Sequence, residues 1–295
     1  MKILQLGAPK CGNFWLYKIL KSILKAAGKD QKNFIEQQPI YQLAKTWDLN
    51  YPEQAQIDVI DITDLQTSYR ISSIYRQPLE NMSAYLLQTG QVWSHSPICK
   101  VSEEVYSHFS HKVYIIRDPR DRAISAANYY CSPYMLKYFP QPEKDPKKYL
   151  DQHFDRLMQT WVWHVFDHLR LSQELNIQVL FYESFLDNFQ KEFNRLLKYL
   201  QIDVSISQRQ TLEDDLSFAS MKTKNPKHLK KGTFGYWQDQ LNAAQKEKAE
   251  IIAGPLLKIL GYEELAHTGT FNPPSHYNFD YAKLRKHIIL SQKRM

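Results

Sequence analysis

Apolar positions along this chain follow two alternating rhythms. Short, nearly unbroken apolar runs at residues 2–6, 57–60, 91–93, 113–116 and 178–181 predict strands covered on both faces. Longer stretches repeat an apolar residue every three to four positions and predict helices over 16–27, 149–174 and 183–200. In the second helix the stripe is Leu150, Phe154, Leu157, Trp161, Val165 and Leu169; in the third it is Phe185, Phe189, Phe193, Leu196 and Leu200. Such stripes are core faces. Strands alternating with helices predict an α/β fold, with a central, mostly parallel sheet flanked by helices. The Pro-bearing segments 133–146 and 271–279 read as loops. With no internal repeat, 1–295 reads as one domain, in which 266–295 is a C-terminal extension that packs on the rest or is partly mobile, ending in a basic tail with helical patterning.

The first strand runs into a turn, Gly7-Ala8-Pro9-Lys10-Cys11-Gly12, that opens directly into a helix. A glycine-bearing loop between a strand and a helix start holds phosphate: backbone N–H groups and the helix dipole face the anion, and Lys10 adds a full charge. A nucleoside-triphosphate loop would continue with Gly-Lys and then Ser or Thr, whose hydroxyl ligates magnesium. Here Gly12 is followed by Asn13 and Phe14. A phosphatase-type thiolate at Cys11 would want an arginine closing the same loop, and residues 12–18 contain none. The loop therefore reads as a metal-free anion cradle.

A second such unit spans 112–125. A buried strand delivers Arg117 to its carboxyl end, Asp118 can cap the next helix, Pro119 suits its first turn, and Ser125 falls about two turns in. The arginine fork and the serine hydroxyl together fit a phosphate. Read alone, Arg117, Asp118, Arg120, Asp121 and Arg122 equally fit a solvated ion-pair network at a helix start.

Bulk properties change this picture little. The net charge of +7 favours anionic ligands, but the lysines are scattered and no nucleic-acid module is recognisable, so no nucleic-acid partner is expected. Three unpaired cysteines (Cys11, Cys99, Cys131), no leader before the first strand and no apolar run of about 20 residues together predict a cytoplasmic protein without a transmembrane segment.

Together the two units resemble the family of sulfotransferases that use 3′-phosphoadenosine 5′-phosphosulfate (PAPS). The family's 5′-phosphosulfate loop reads Pro-Lys-Ser-Gly-Thr-Thr-Trp. Pro9, Lys10, Gly12 and Trp15 match it, while Cys11, Asn13 and Phe14 replace the Ser and both Thr residues. Its 3′-phosphate motif, Arg-Asn-Pro-Lys-Asp with a later serine, matches Arg117 to Ser125 in register. Tyr182-Glu183, Ser217-Phe218-Ala219-Ser220-Met221 and the run from Lys230 to Trp237 resemble three further motifs in the family's order. The resemblance implies a P-loop-like sulfotransferase architecture with PAPS as donor, adenosine 3′,5′-bisphosphate (PAP) as product, and no metal. It implies that Lys10 and the backbone of residues 10 to 15 hold the 5′-phosphosulfate. Arg117, Ser125, Lys230, Lys231 and Gly232 would hold the 3′-phosphate. Trp15, Tyr182 and Phe218, with Ser217 beside them, would contact adenine.

The strand end Gln91-Val92-Trp93-Ser94-His95-Ser96-Pro97 resembles the family's Lys-Thr-His-Leu-Pro. His95 is then the general base for the acceptor hydroxyl, Lys10 stabilises the leaving oxygen, and Trp93 stands where the motif has a lysine. His164 and His168 lie one helical turn apart, a zinc-compatible spacing, yet no third ligand is apparent and their helix is amphipathic. The expected acceptor is a small, partly apolar molecule with a hydroxyl or, less readily, an amine, held by aromatic residues of 30–90 and 126–147. The family's dimer motif would fall on Gln238, Asn242, Ala243 and Glu247, of which the glutamate alone matches, so the oligomeric state stays open. Two other readings remain: a P-loop nucleotide kinase, which Asn13 and Phe14 oppose, and a nucleotide-binding module without catalysis.

Overall fold

The computed structural model describes residues 1–224 and 232–293. Seven strands form one sheet: β1 (Ile3–Leu6), β2 (Val59–Ile62), β3 (Thr67–Ile71), β4 (Tyr75–Pro78), β5 (Gln91–Ser94), β6 (His111–Ile116) and β7 (Ile177–Phe181). Their order is β4-β3-β2-β5-β1-β6-β7. The five strands from β2 to β7 in that order run parallel, while β3 and β4 extend the β2 edge as antiparallel strands. All four residues of β1 are buried, as expected for a central parallel strand with helices over both faces. The fold is thus the anticipated α/β sheet, and all five anticipated strands are present to within two residues at either end.

The β3–β4 pair escapes the apolar-run signal because its sequence, Thr67 to Pro78, is mostly polar. Three of the four β4 residues are exposed, and Pro78 sits where an edge strand tolerates it. Two other expectations need correction. The 183–200 helix is two helices, Tyr182–Asp187 and Phe189–Leu200, because Asn188 leaves helical geometry and caps the second by accepting from Lys191 N. The 133–146 segment is not all loop: Ser132 caps a short helix, Pro133–Tyr138, in which proline occupies the first turn.

The sheet order reverses at β1, between β5 and β6, so the carboxyl ends of β1, β5, β6 and β7 open onto one crevice. Helix Asn13–Ala26 leaves β1 there, and helix Pro119–Tyr130 leaves β6. The latter packs on the long helix Pro146–Arg170, which in turn packs on Ala243–Ile259. The C-terminal helix Tyr281–Gln292 lies against Ala243–Ile259, burying Leu284 and Ile288 and donating from Ser291 Oγ to Ile251 O.

Candidate active site

A cavity of about 430 Å³ opens over the strand ends. Twelve of the sequence-predicted residues line it: Pro9, Lys10, Gly12, Asn13, Phe14, Trp15, His95, Arg117, Ser125, Tyr182, Phe218 and Gly232. Cys11 and Ser217 do not. Cys11 is buried beneath the loop, where burial pushes its thiol up to about 11, so it holds no reactive thiolate at neutral pH. Ser217 closes the Ile206–Leu216 helix and accepts from Ser220 N, thereby setting the start of the helix that carries Phe218. Lys230 and Lys231 lie outside the described residues.

The loop after β1 is shaped by two left-handed residues, Lys10 (φ 73°) and Gly12 (φ 92°). A lysine in that region costs on the order of 1 kcal/mol, which marks the turn as functional rather than incidental. Gly12 is required twice over, since a Cβ there would also stand 2.5 Å from the Tyr182 ring. The Asn13–Ala26 helix begins with no side-chain cap, so the N–H groups of its first turn face the cavity end without an internal competitor. Asn13 donates to Ala8 O and its own carbonyl takes Gln5 Nε2, which ties the loop to β1. The Lys10 ammonium sits 4.4 Å over the Tyr129 ring.

Arg117 crosses from β6 to that loop. Its Nη1 donates to Lys10 O (3.2 Å) and its Nη2 to Tyr236 Oη (3.0 Å), and the guanidinium stacks 4.4 Å from the Tyr182 ring. The remaining Nε is buried and has no partner among the described residues. Such an orphaned donor on a cavity wall suits an anionic ligand. Ser125 lines the same wall, and Gly232, at φ 64°, is pressed so closely on Phe218 that a Cβ would stand 2.2 Å from its ring.

The charges around Arg117 do not form a solvated network. Asp118, Arg120, Asp121 and Arg122 are 0–2% exposed, and each holds a piece of backbone. Asp118 caps its own helix through Arg120 N and forms a buried pair with the Arg120 side chain. Asp121 accepts from Gly235 N and Trp237 N; burial, and then the Asp118 charge, pushes its carboxyl up to about 7. Arg122 donates to Pro9 O and to Leu157 O. Glu183, fully buried, accepts from Asp118 N and Tyr262 Oη, and burial raises its carboxyl to about 8. Alternating charge signs look the same in sequence whether a helix start is buried or solvated. The nearby predicted strand was the available hint.

His95 sits at the end of β5, with Nδ1 2.6 Å from Gly7 O. A carbonyl can only accept, so Nδ1 carries the hydrogen and Nε2 keeps its lone pair. Burial, and then the Arg70 charge, pushes this imidazole down to about 3, which keeps it neutral, with a free lone pair at Nε2, but makes it a weaker base than an ordinary histidine. Its carbonyl accepts from His164 Nε2 (3.2 Å), and His164 Nδ1 accepts from Tyr114 Oη (2.8 Å). His168 Nδ1 donates to His164 O, and its Nε2 accepts from Tyr106 Oη. Every ring nitrogen of this pair is occupied. Among the described residues no group of three potential ligands could hold a metal. The two histidines support the strand end that presents His95.

Trp93 lines the cavity beside His95, with its ring 5.1 Å away. Trp15 packs against Tyr182, Phe185, Phe189 and Phe218 and donates to Leu216 O, forming an aromatic floor. Part of the cavity wall comes from the segments expected to receive an acceptor, and it includes Tyr51, Gln54, Tyr129 and Met135. Arg70 and Ser72, from the unanticipated β3 and the turn after it, also stand there. No sequence signal marked them.

The model for the sulfotransferase domain matches residues 1–261 of this chain. Cytosolic sulfotransferase 1 of Danio rerio is 24% identical over 259 residues, covering 81% of this chain and 77% of the relative. Among solved structures, mouse sulfotransferase SULT7A1 complexed with PAP superposes with a TM-score of 0.58 at 17% identity, covering 90% of this chain and 88% of that one. Retinol dehydratase, in complex with androsterone and inactive cofactor PAP, gives 0.55 at 18% identity, covering 87% and 80%. Among the described residues no helix is long and apolar enough to cross a membrane.

Proposed function

From the premise that this chain belongs to the sulfotransferase family and is an enzyme of that class, we propose that it moves a sulfuryl group from PAPS to a small hydroxyl acceptor, without a metal. The observation that carries this reading is the convergence of three groups on one cavity: the uncapped loop with Lys10, the Arg117–Ser125 wall, and a neutral imidazole at His95. The active unit is taken as one domain spanning 1–295, in which the described part of the 266–295 extension packs against Ala243–Ile259.

The residues present fit the donor. The first-turn amides of residues 12–15 and Lys10 would hold the 5′-phosphosulfate, where fixed dipoles need no reorganisation. Arg117, through its orphaned Nε, and Ser125 would hold the 3′-phosphate with Gly232; Lys230 and Lys231 are assigned to the same phosphate from their motif. Each charge-assisted contact is worth about 1.5–3 kcal/mol, enough in combination to select a 3′-phosphorylated nucleotide. Tyr182 and Phe218 present aromatic surface for adenine above the Trp15 floor. When bound, PAPS supplies the sulfuryl group and departs as PAP.

His95 Nε2 accepts the acceptor's hydroxyl proton as the acceptor oxygen forms its bond to sulfur, while Gly7 O holds the other ring nitrogen. The Lys10 ammonium stabilises the charge that gathers on the leaving phosphate oxygen. The base needs no preceding deprotonation at neutral pH. The test is sulfuryl transfer from PAPS to a panel of phenols and alcohols by the wild-type protein and by His95→Ala. Transfer that falls by about 10³-fold while PAP affinity holds supports the assignment. Unchanged transfer in the variant contradicts it.

A further inference from the structure

The cavity lining is one-signed. Lys10, Arg70 and Arg117 stand on its wall, and among the described residues no carboxylate does. Two of these cations serve the donor end. Arg70, on β3, lines the same cavity near Tyr51, Tyr129 and His95. Its guanidinium is clamped rather than loose: Nε donates to Asp61 Oδ1 (3.0 Å) and Nη1 to Ser72 O, while Nη2 makes no hydrogen bond to a described residue. Asp61 does not cancel the charge, because Arg76 also pairs with it at 2.7 Å, so one carboxylate serves two guanidiniums. Arg76 is the outer, exposed member of this trio, and the side chain of Arg70 is only 14% exposed. A largely desolvated cation facing a carboxylate-free cavity calls for an anion.

We propose that the acceptor is a hydroxyl compound carrying a carboxylate, which pairs with Arg70 while its body lies against Tyr51 and Tyr129. The inference rests on the sulfotransferase reading of the cavity and names the acceptor class for it. Arg70 is near enough to His95 to depress its basicity, so an acceptor carboxylate placed on Arg70 also offsets a charge that opposes proton uptake by His95. A planar carboxylate suits a fixed guanidinium better than a lone ammonium would, which makes the fork itself testable.

The experiment is calorimetric titration of the PAP-loaded full-length protein with 4-hydroxyphenylacetate and, in parallel, with its neutral counterpart 4-hydroxyphenylacetamide. Wild type is expected to bind the acid at least about tenfold more tightly than the amide. Arg70→Gln should bring the two within about twofold of each other, Arg70→Lys should retain part of the preference, and Arg76→Gln, which leaves Asp61 to Arg70 alone, should lower the preference without abolishing it. PAP binding by each variant reports that it folds. Equal affinity of the wild type for acid and amide overturns the proposal. So does an Arg70→Gln variant that weakens both probes alike, which would show that Arg70 shapes the pocket without reading the carboxylate. Failure of the wild type to bind PAP at all rejects the donor reading, a result separable from loss of acid preference in a protein that does bind PAP.

Discussion

Two strand-to-helix junctions meet at this cavity, and they treat the same problem in opposite ways. After β1, the helix starts at Gly12 with no side-chain cap, following a lysine forced into left-handed geometry. After β6, the helix start is closed by Asp118, and Pro119 contributes no N–H. The first junction leaves its first-turn backbone N–H groups without a side-chain cap, while the second is self-satisfied and presents side chains, Arg117 and Ser125, to the cavity. Cys11, Asn13 and Phe14 stand where the family's loop has Ser and Thr, and the Asn13 side chain ties the loop together by donating to Ala8 O. The capped end depends on its residues. Asp118, Arg120, Asp121 and Arg122 are all buried, and through Arg122 this junction also holds Pro9 in the first one.

The largest effect should come from breaking the backbone junction. Gly12→Ala must escape both the positive φ and the Tyr182 ring, so nucleotide affinity should fall by about 100-fold or more, and stability by about 1–3 kcal/mol. Titration with PAP and thermal melting would show both. A variant that binds normally would mean the loop is not the cradle.

Arg117→Gln breaks the side-chain junction. Its expected cost is about 10- to 100-fold in PAP affinity, with little change for adenosine 5′-monophosphate, so that discrimination for the 3′-phosphate disappears. Loss of both nucleotides in equal measure would show instead that Arg117 acts by holding Lys10 O and Tyr236.

A smaller effect concerns Glu183, which accepts from the Asp118 backbone beneath the second junction. Its folded-state carboxyl lies near 8, above the unfolded value near 4.5. The unfolded chain therefore releases this proton first, and the contribution to stability, fully present below about pH 4.5, is lost as pH rises toward 8. Glu183→Gln removes the titration, so its Tm relative to wild type should rise on going from pH 5 to pH 8, by on the order of 5 °C. A constant difference across that range would show that Glu183 is ionised in the folded protein.

The subtlest contrast is in pH and rate. With the His95 imidazole held near 3, kcat/KM should stay level from pH 8 down to about 5 rather than fall through the ordinary histidine range. A fall centred near 6.5 would mean that His95 is not desolvated in the working enzyme.

Much of this site was legible in sequence because each junction is local. Strand, turn and helix start are contiguous, and Gly12, Arg117 and His95 each follow an apolar run within six residues. What was not legible depends on distant partners. Arg70 reaches the cavity on a polar edge hairpin that has no apolar run to announce it. Tyr236 matters because Arg117 and Asp121, more than a hundred residues away, both touch its hydroxyl. His164 and His168 have a ligand-like spacing, and the tyrosines that occupy their ring nitrogens, Tyr114 and Tyr106, lie on other elements.

The most direct test of the central claim is calorimetric titration of the full-length protein with PAP, beside adenosine 5′-monophosphate and ATP–Mg²⁺. The account predicts micromolar PAP binding that weakens by about 100-fold when the 3′-phosphate is removed, and no preference for ATP–Mg²⁺. Equal affinity for all three, or no binding of PAP, would contradict it.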